Sequence, residues 1–434
     1  MNGFIITKLR GRRVWDSRGR PTVEVEVDLA GGAVGRAIAP AGASMGTGEA
    51  VDLRDGGAHL GGLDVQNALA NINGEIRMAI AGMDATDQAA VDQVLIALDG
   101  TPNKSRLGGN ATIAVSMAVA HARAVAVGEP LWRHLGGFDA CTLPLPEIQI
   151  IGGGAHARSR VDVQDFMVTM PGASSFDEAL VWTAEVYRLA GKLLEDSGRL
   201  QGVADEGGYW PAFATNEDGL ELLVRAIEAA GLKPGEQAAI SLDIAASEFG
   251  RGGRYRLALE EKDLDSDGLA ELLIGWIDRY PIVSIEDPMA EDDEAGMRRF
   301  TEAAGRRVQI VGDDFVVTDA KRIRKAAAAG ACNAALIKPN QAGTLTETKA
   351  ALEAARAAGW GAIVSARSGE TEDVTIVHLA IGWGVAQLKV GSFARAERMA
   401  KWNEALRIEE SLGTMALFAG RLPFAGLAPA GAAS

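Results

Sequence analysis

Six short apolar runs in the last two-thirds of this 434-residue chain each stop on a charged residue. They are Ile-Ser-Leu-Asp243, Val-Ser-Ile-Glu286, Gln-Ile-Val-Gly-Asp313, Ala-Leu-Ile-Lys338, Ile-Val-Ser-Ala-Arg367 and Gln-Leu-Lys389. The charged ends recur roughly every 20 to 45 residues with helix-like stretches between most of them, the rhythm of a β/α barrel. The C-terminal ends of barrel strands open on one mouth. Three carboxylates, two lysines and an arginine would then share one pocket, an arrangement that stability alone does not favour. A carboxylate trio suits a metal and the cations suit an anionic substrate, so the pattern points to an enzyme site.

Length and composition fit two or three globular domains, with 47% apolar and 23% charged residues. A net charge of -15 argues against nucleic acid or an anionic membrane as partner, although a local cationic pocket can still hold an anion. Cys141 and Cys332 are too few for a disulfide framework or a thiolate metal site. Charge interrupts the N-terminal segment too early for a signal peptide, and no apolar run approaches the ~18 residues of a membrane span. The expected compartment is the cytoplasm.

Organisation changes near residue 140. The alternation from Thr22 to Leu29 predicts a strand, Asp87 to Leu98 a helix, and Asn110 to Val127 a second, small-residue helix. A glycine-rich loop runs from Pro40 to Gly48. These features predict an N-terminal α+β domain over 1–137. An α/β barrel over 138–434 follows, with a low-complexity tail from about 424.

Asp243, Glu286 and Asp313 are hard oxygen ligands of the kind Mg²⁺ takes, and the bland alternative is that each merely caps the helix after its strand. The neighbouring Asp287 and Asp314 read as supporting partners or caps. Lys338 closes an apolar run; beside a metal and partly buried, its pKa is expected to fall toward that of a general base. Glu206, in Asp205-Glu-Gly-Gly208, and His156, in Gly152-Gly-Gly-Ala-His156, are weak signals alone.

Taken in order, the segments resemble one family, enolase (phosphopyruvate hydratase). The resemblance rests on Asp16-Ser-Arg-Gly-Arg-Pro-Thr22, Gly42-Ala-Ser44, Glu49-Ala-Val-Asp-Leu-Arg-Asp55, Leu98-Asp-Gly-Thr101 and Asp205-Glu-Gly-Gly208. It continues through Ser284-Ile-Glu-Asp-Pro288, Ile337-Lys-Pro-Asn-Gln341, Arg367-Ser-Gly-Glu-Thr-Glu-Asp373 and Arg407-Ile-Glu-Glu410. It implies an enolase-type modified (β/α)8 barrel behind an α+β lid domain, two Mg²⁺ per active site and a small phosphorylated carboxylate as substrate. It also implies a homodimer, with an octamer left open.

By the same resemblance, Asp243, Glu286 and Asp313 hold one Mg²⁺. Ser44 binds the second together with the substrate phosphate. Lys338 matches the base that removes the C2 proton, Lys389 the cation that stabilises the resulting dianion, and Glu206 the acid at the C3 hydroxyl. Arg367 and Ser368 match the phosphate grip, while His156 and Gln164 fall on active-site positions.

Several positions depart from the family pattern. Asp165 stands where the family has glutamate, Ala366 where it has histidine, Ala41 where it has serine and Met45 where it has threonine. Gly152 replaces an asparagine, Ala204 a glycine, and Pro339 follows Lys338. Ala366 and Ala41 remove polar bulk near the phosphate. The chain is therefore similar to a divergent member such as carboxyphosphonoenolpyruvate synthase of phosphinate-antibiotic biosynthesis. The leading expectation is conversion of 2-phosphonoformylglycerate to carboxyphosphonoenolpyruvate. The alternatives are the housekeeping reaction of 2-phosphoglycerate to phosphoenolpyruvate in glycolysis and a non-catalytic, enolase-like binding protein.

Overall fold

A computed structural model describes residues 2–43 and 45–427, so Ser44 and the tail from 428 lie outside the described residues. The predicted strand is β2 (Pro21–Leu29), the middle of a three-stranded antiparallel sheet with β1 (Ile6–Trp15) and β3 (Val34–Ile38). Val23, Val25, Val27 and Leu29 alternate along β2 and are buried, as their period of two requires. The two predicted helices are α1 (Gln88–Asp99), whose first turn is capped by Asp87, and α2 (Gly109–Ala126). Alanines let α2 sink almost wholly into the core, and Gly35 lets β3 lie directly on it. A Cβ there would come 2.1 Å from the Ala122 nitrogen.

Eight strands close into a barrel. They are β4 (Leu145–Gly152), β5 (Asp165–Thr169), β6 (Ala239–Asp243), β7 (Ile282–Glu286), β8 (Gln309–Gly312), β9 (Ala334–Ile337), β10 (Gly361–Ser365) and β11 (Gln387–Ser392). Hydrogen bonding follows chain order, and β11 pairs back onto β4. β5 runs antiparallel to both neighbours, whereas all the other adjacent pairs are parallel. The cause is local: no crossover helix separates β4 from β5, and a parallel return needs one.

That reversal has a functional consequence. It brings the start of β5 to the mouth formed by the ends of its neighbours, with Asp165 in register with Gly152 on one side and Asp243 on the other. The sequence pattern marked neither β4 nor β5, because strands buried on both faces lose the alternation that marks β2. Five of the six charged residues do sit at or just past strand ends. Lys389 does not: it lies inside β11, paired with Ser365 and Glu147, and reaches the mouth from one layer below. Among the described residues, no single helix is long and apolar enough to cross a membrane.

Candidate active site

Helix capping does not explain the three strand-end acids. Asp265, Asp293 and Asp319 cap the outer helices, whereas Asp243, Glu286 and Asp313 point into the mouth and meet cations. Lys389 Nζ lies 2.8 Å from both Asp243 Oδ2 and Glu286 Oε2. It is also 3.5 Å from Asp165 Oδ2. Lys338 Nζ pairs with Asp313 Oδ2, and Gln341 donates to the other Asp313 oxygen at 2.9 Å. Gln164 Nε2 reaches Asp243 Oδ2 at 3.1 Å.

Burial and the repulsion of Asp243 drive the Glu286 carboxyl well above its ordinary range. Burial works against the charge of Asp313 too, but Lys338 overrides it and holds that carboxyl low. Lys338 is held in its charged form. Burial pulls its ammonium pKa down, yet Asp313 outweighs burial and raises it.

A divalent cation fits this donor set. Glu286 Oε1 and Gln164 Oε1 are buried acceptors without a hydrogen-bond partner among the described residues, and a cation beside them would satisfy oxygen and repulsion together. The three predicted ligands do not form a closed cage, since the lysines stand among them. The triplets whose ligand atoms lie within 4.8 Å of one another are Asp287, Asp313, Asp314 and, across the mouth, His156, Asp165, Glu206. Asp287 plays the predicted supporting role. It accepts the backbone N–H groups of Asp313 at 2.9 Å and Asp314 at 2.7 Å, fixing that turn. Burial and the adjacent Asp313 push the Asp314 carboxyl up to about 8.

The opposite wall is built around His156. Its Nδ1 lies 3.0 Å from Asp165 Oδ1, its Nε2 is 3.1 Å from Ser368 Oγ, and Glu206 Oε1 stands 3.7 Å from Nε2. Burial disfavours the imidazolium, but Glu206 and Asp165 overcome it and raise the His156 pKa to about 9. Arg367 donates to Glu49 Oε2 at 2.9 Å and to Asn340 Oδ1 at 3.1 Å. Its loop is clamped by paired backbone hydrogen bonds between Ala41 and Gly369, and Arg18 holds the Ala41 carbonyl at 2.9 Å. Ala366 contributes only a methyl group beside this grip.

The predicted site residues that fall among the described residues therefore gather at one mouth. Two family models match the chain: the enolase N-terminal domain over residues 6–135 and the enolase C-terminal TIM barrel domain over residues 140–425. The chain belongs to the enolase family. It is 49% identical over 428 residues to Enolase 1 of Desulfitobacterium hafniense (strain Y51), a match covering 98% of each chain. It is a hydro-lyase of that family, and the modified barrel expected from the resemblance is the observed one.

Sequence reading missed several members of this enolase-family site. Glu49, Asn340 and Gln341 lay in recognised motifs without a role, and each contacts Arg367 or Asp313. Gln149 and Glu147 were unmarked. The available signal was polarity in the wrong place, two long polar side chains inside the run Leu145–Ile151. Both are buried, and Gln387 donates to Glu147 at 2.6 Å beneath Lys389.

Proposed function

We propose that this protein dehydrates 2-phosphoglycerate to phosphoenolpyruvate with Mg²⁺. The observation that carries the reading is the convergence of Lys338, Lys389, Asp243, Glu286, Asp313 and Arg367 at one buried mouth. The name of the 49%-identical relative, Enolase 1, supports it. Asp243, Glu286 and Asp313 would hold one Mg²⁺, and Ser44 a second beside the substrate phosphate. Bound there, Mg²⁺ would supply positive charge that stabilises the substrate carboxylate as negative charge builds up on it.

The chain's own groups do the rest. Arg367 and Ser368 grip the phosphate, with Glu49 and Asn340 fixing the guanidinium. Lys338 takes the C2 proton, and Lys389 neutralises the charge that then develops on the carboxylate. Glu206 gives a proton to the C3 hydroxyl, which leaves as water. His156 and Asp165 line that departure route, and Gln164 orients Asp243. We further propose the division into a lid domain over 1–137 and a barrel over 138–434, a homodimer, and residence in the cytoplasm. Light scattering on the purified protein tests the dimer.

A second reading is favoured by one specific observation: the small side chains of Ala366 and Ala41 beside the phosphate grip. They leave room for a substituent on phosphorus, as in 2-phosphonoformylglycerate giving carboxyphosphonoenolpyruvate. Assaying both substrates with the same enzyme preparation decides between them. A kcat/KM at least about tenfold higher for one of them assigns the substrate.

A further inference from the structure

Gln149 lies in the middle of β4 and is fully buried. Its amide has two ends, and both are used. Oε1 accepts the backbone N–H of Gly208 at 2.8 Å, and Nε2 donates to Asp165 Oδ1. Gly208 closes the turn that carries Glu206, through a hydrogen bond from the Ala204 nitrogen to the Gly208 carbonyl at 2.8 Å. One side chain thus ties together the two carboxylate carriers that flank His156.

Space for this side chain is made by glycine. A Cβ on Gly208 would come 2.4 Å from Gln149 Oε1. A Cβ on Gly152 would stand 3.3 Å from Gln149 Nε2 and 2.5 Å from the Ala204 methyl. Two departures from the family pattern, Asp165 and Gly152, therefore meet at Gln149, and a third, Ala204, lies against Gly152. Asp165 is one methylene shorter than the glutamate it replaces, and the long Gln149 side chain reaches across to it.

We propose that Gln149 is a positioning residue. It fixes Asp165 and the Glu206 turn relative to His156, and its length is matched to the short carboxylate at 165. The proposal rests on the dehydration reading for its kinetic consequences, but the geometry has a readout of its own. Gln149→Asn, Asp165→Glu and the double variant are compared with wild type, using the substrate that wild type turns over. The ¹⁵N-histidine spectrum of each folded protein is recorded alongside.

Gln149→Asn is expected to lower kcat by about 10²-fold with KM within about twofold, the size of effect that a misplacement near 1 Å produces. The double variant is expected to regain at least about tenfold over Gln149→Asn, because the lost methylene is restored on the partner. In the spectrum, the His156 ring signals of Gln149→Asn should move while those of the other histidines stay. Unchanged kcat in Gln149→Asn, or a double variant no better than Gln149→Asn, overturns the proposal. If wild type turns over neither substrate, the dehydration reading fails by itself, and the spectrum decides on Gln149: moved His156 signals support it, unmoved signals overturn it.

Discussion

His156 and Asp165 meet 3.0 Å apart inside the barrel mouth, each almost wholly screened from solvent. The contact exists because β5 runs backwards: its first residue faces the loop that leaves β4, and His156 is on that loop. Burial opposes charge on both groups, yet each stabilises the charged form of the other, with Glu206 adding to the field on the imidazole.

A stability profile against pH follows from that pair. His156 has a folded pKa of about 9, above its unfolded value near 6.5. Its contribution is fully present below about pH 6.5 and is lost as pH rises through 9. The shift corresponds to about 3 kcal/mol. Urea melts of wild type and His156→Gln at pH 6, 7.5 and 9 check this. The stability difference should shrink steadily across that window, and a constant difference contradicts it.

Mg²⁺ should stabilise the protein through the Asp243, Glu286 and Asp313 group. At a hundredfold excess over its dissociation constant the gain is about 2.7 kcal/mol. Differential scanning fluorimetry across a Mg²⁺ series should give a rising Tm for wild type and a much weaker rise for Glu286→Gln. Equal shifts in the two proteins would show that the cation binds elsewhere.

Glu49 neutralises Arg367 inside the site, where both side chains are buried. Replacing it with alanine leaves a buried guanidinium short of its carboxylate. Asp313 still faces that guanidinium, so the expected loss is about 1–3 kcal/mol of folding stability. Chemical denaturation of Glu49→Ala measures this, and a loss below about 1 kcal/mol would contradict the assignment.

The contact between Gly152 and Ala204 predicts a compensating pair. Gly152→Ala places two methyl groups 2.5 Å apart and should cost about 1–3 kcal/mol. Ala204→Gly in the same chain should recover most of that loss. Two additive losses would mean that the strain lies elsewhere.

The barrel and most of its mouth were legible because charge at the end of an apolar run is a local signal. Asp243, Glu286, Asp313 and Lys338 could be read that way. β4 and β5 could not, because a strand buried on both faces has no alternation, and strand direction depends on what connects the two. Lys389 was placed a layer too high, since a strand can continue past its charged residue when that charge is paired inside the barrel. Gln149 and Glu49 act through partners distant in sequence, at Asp165, Gly208 and Arg367. Their roles exist only once the chain is folded. The field on Lys338 belongs to the same class: Asp313, a residue on the neighbouring strand, outweighs burial.

Turnover of 2-phosphoglycerate with Mg²⁺, followed by ultraviolet absorbance of the enolpyruvate product, tests the proposed chemistry most directly when run beside Lys338→Ala. Wild type should turn over, and the variant should fall by about 10²–10⁴-fold while keeping the Mg²⁺-dependent rise in Tm. Activity retained in Lys338→Ala would contradict the role of Lys338. No wild-type turnover despite bound Mg²⁺ would contradict 2-phosphoglycerate as the substrate and leave the phosphorus-substituted analogue to be assayed in its place.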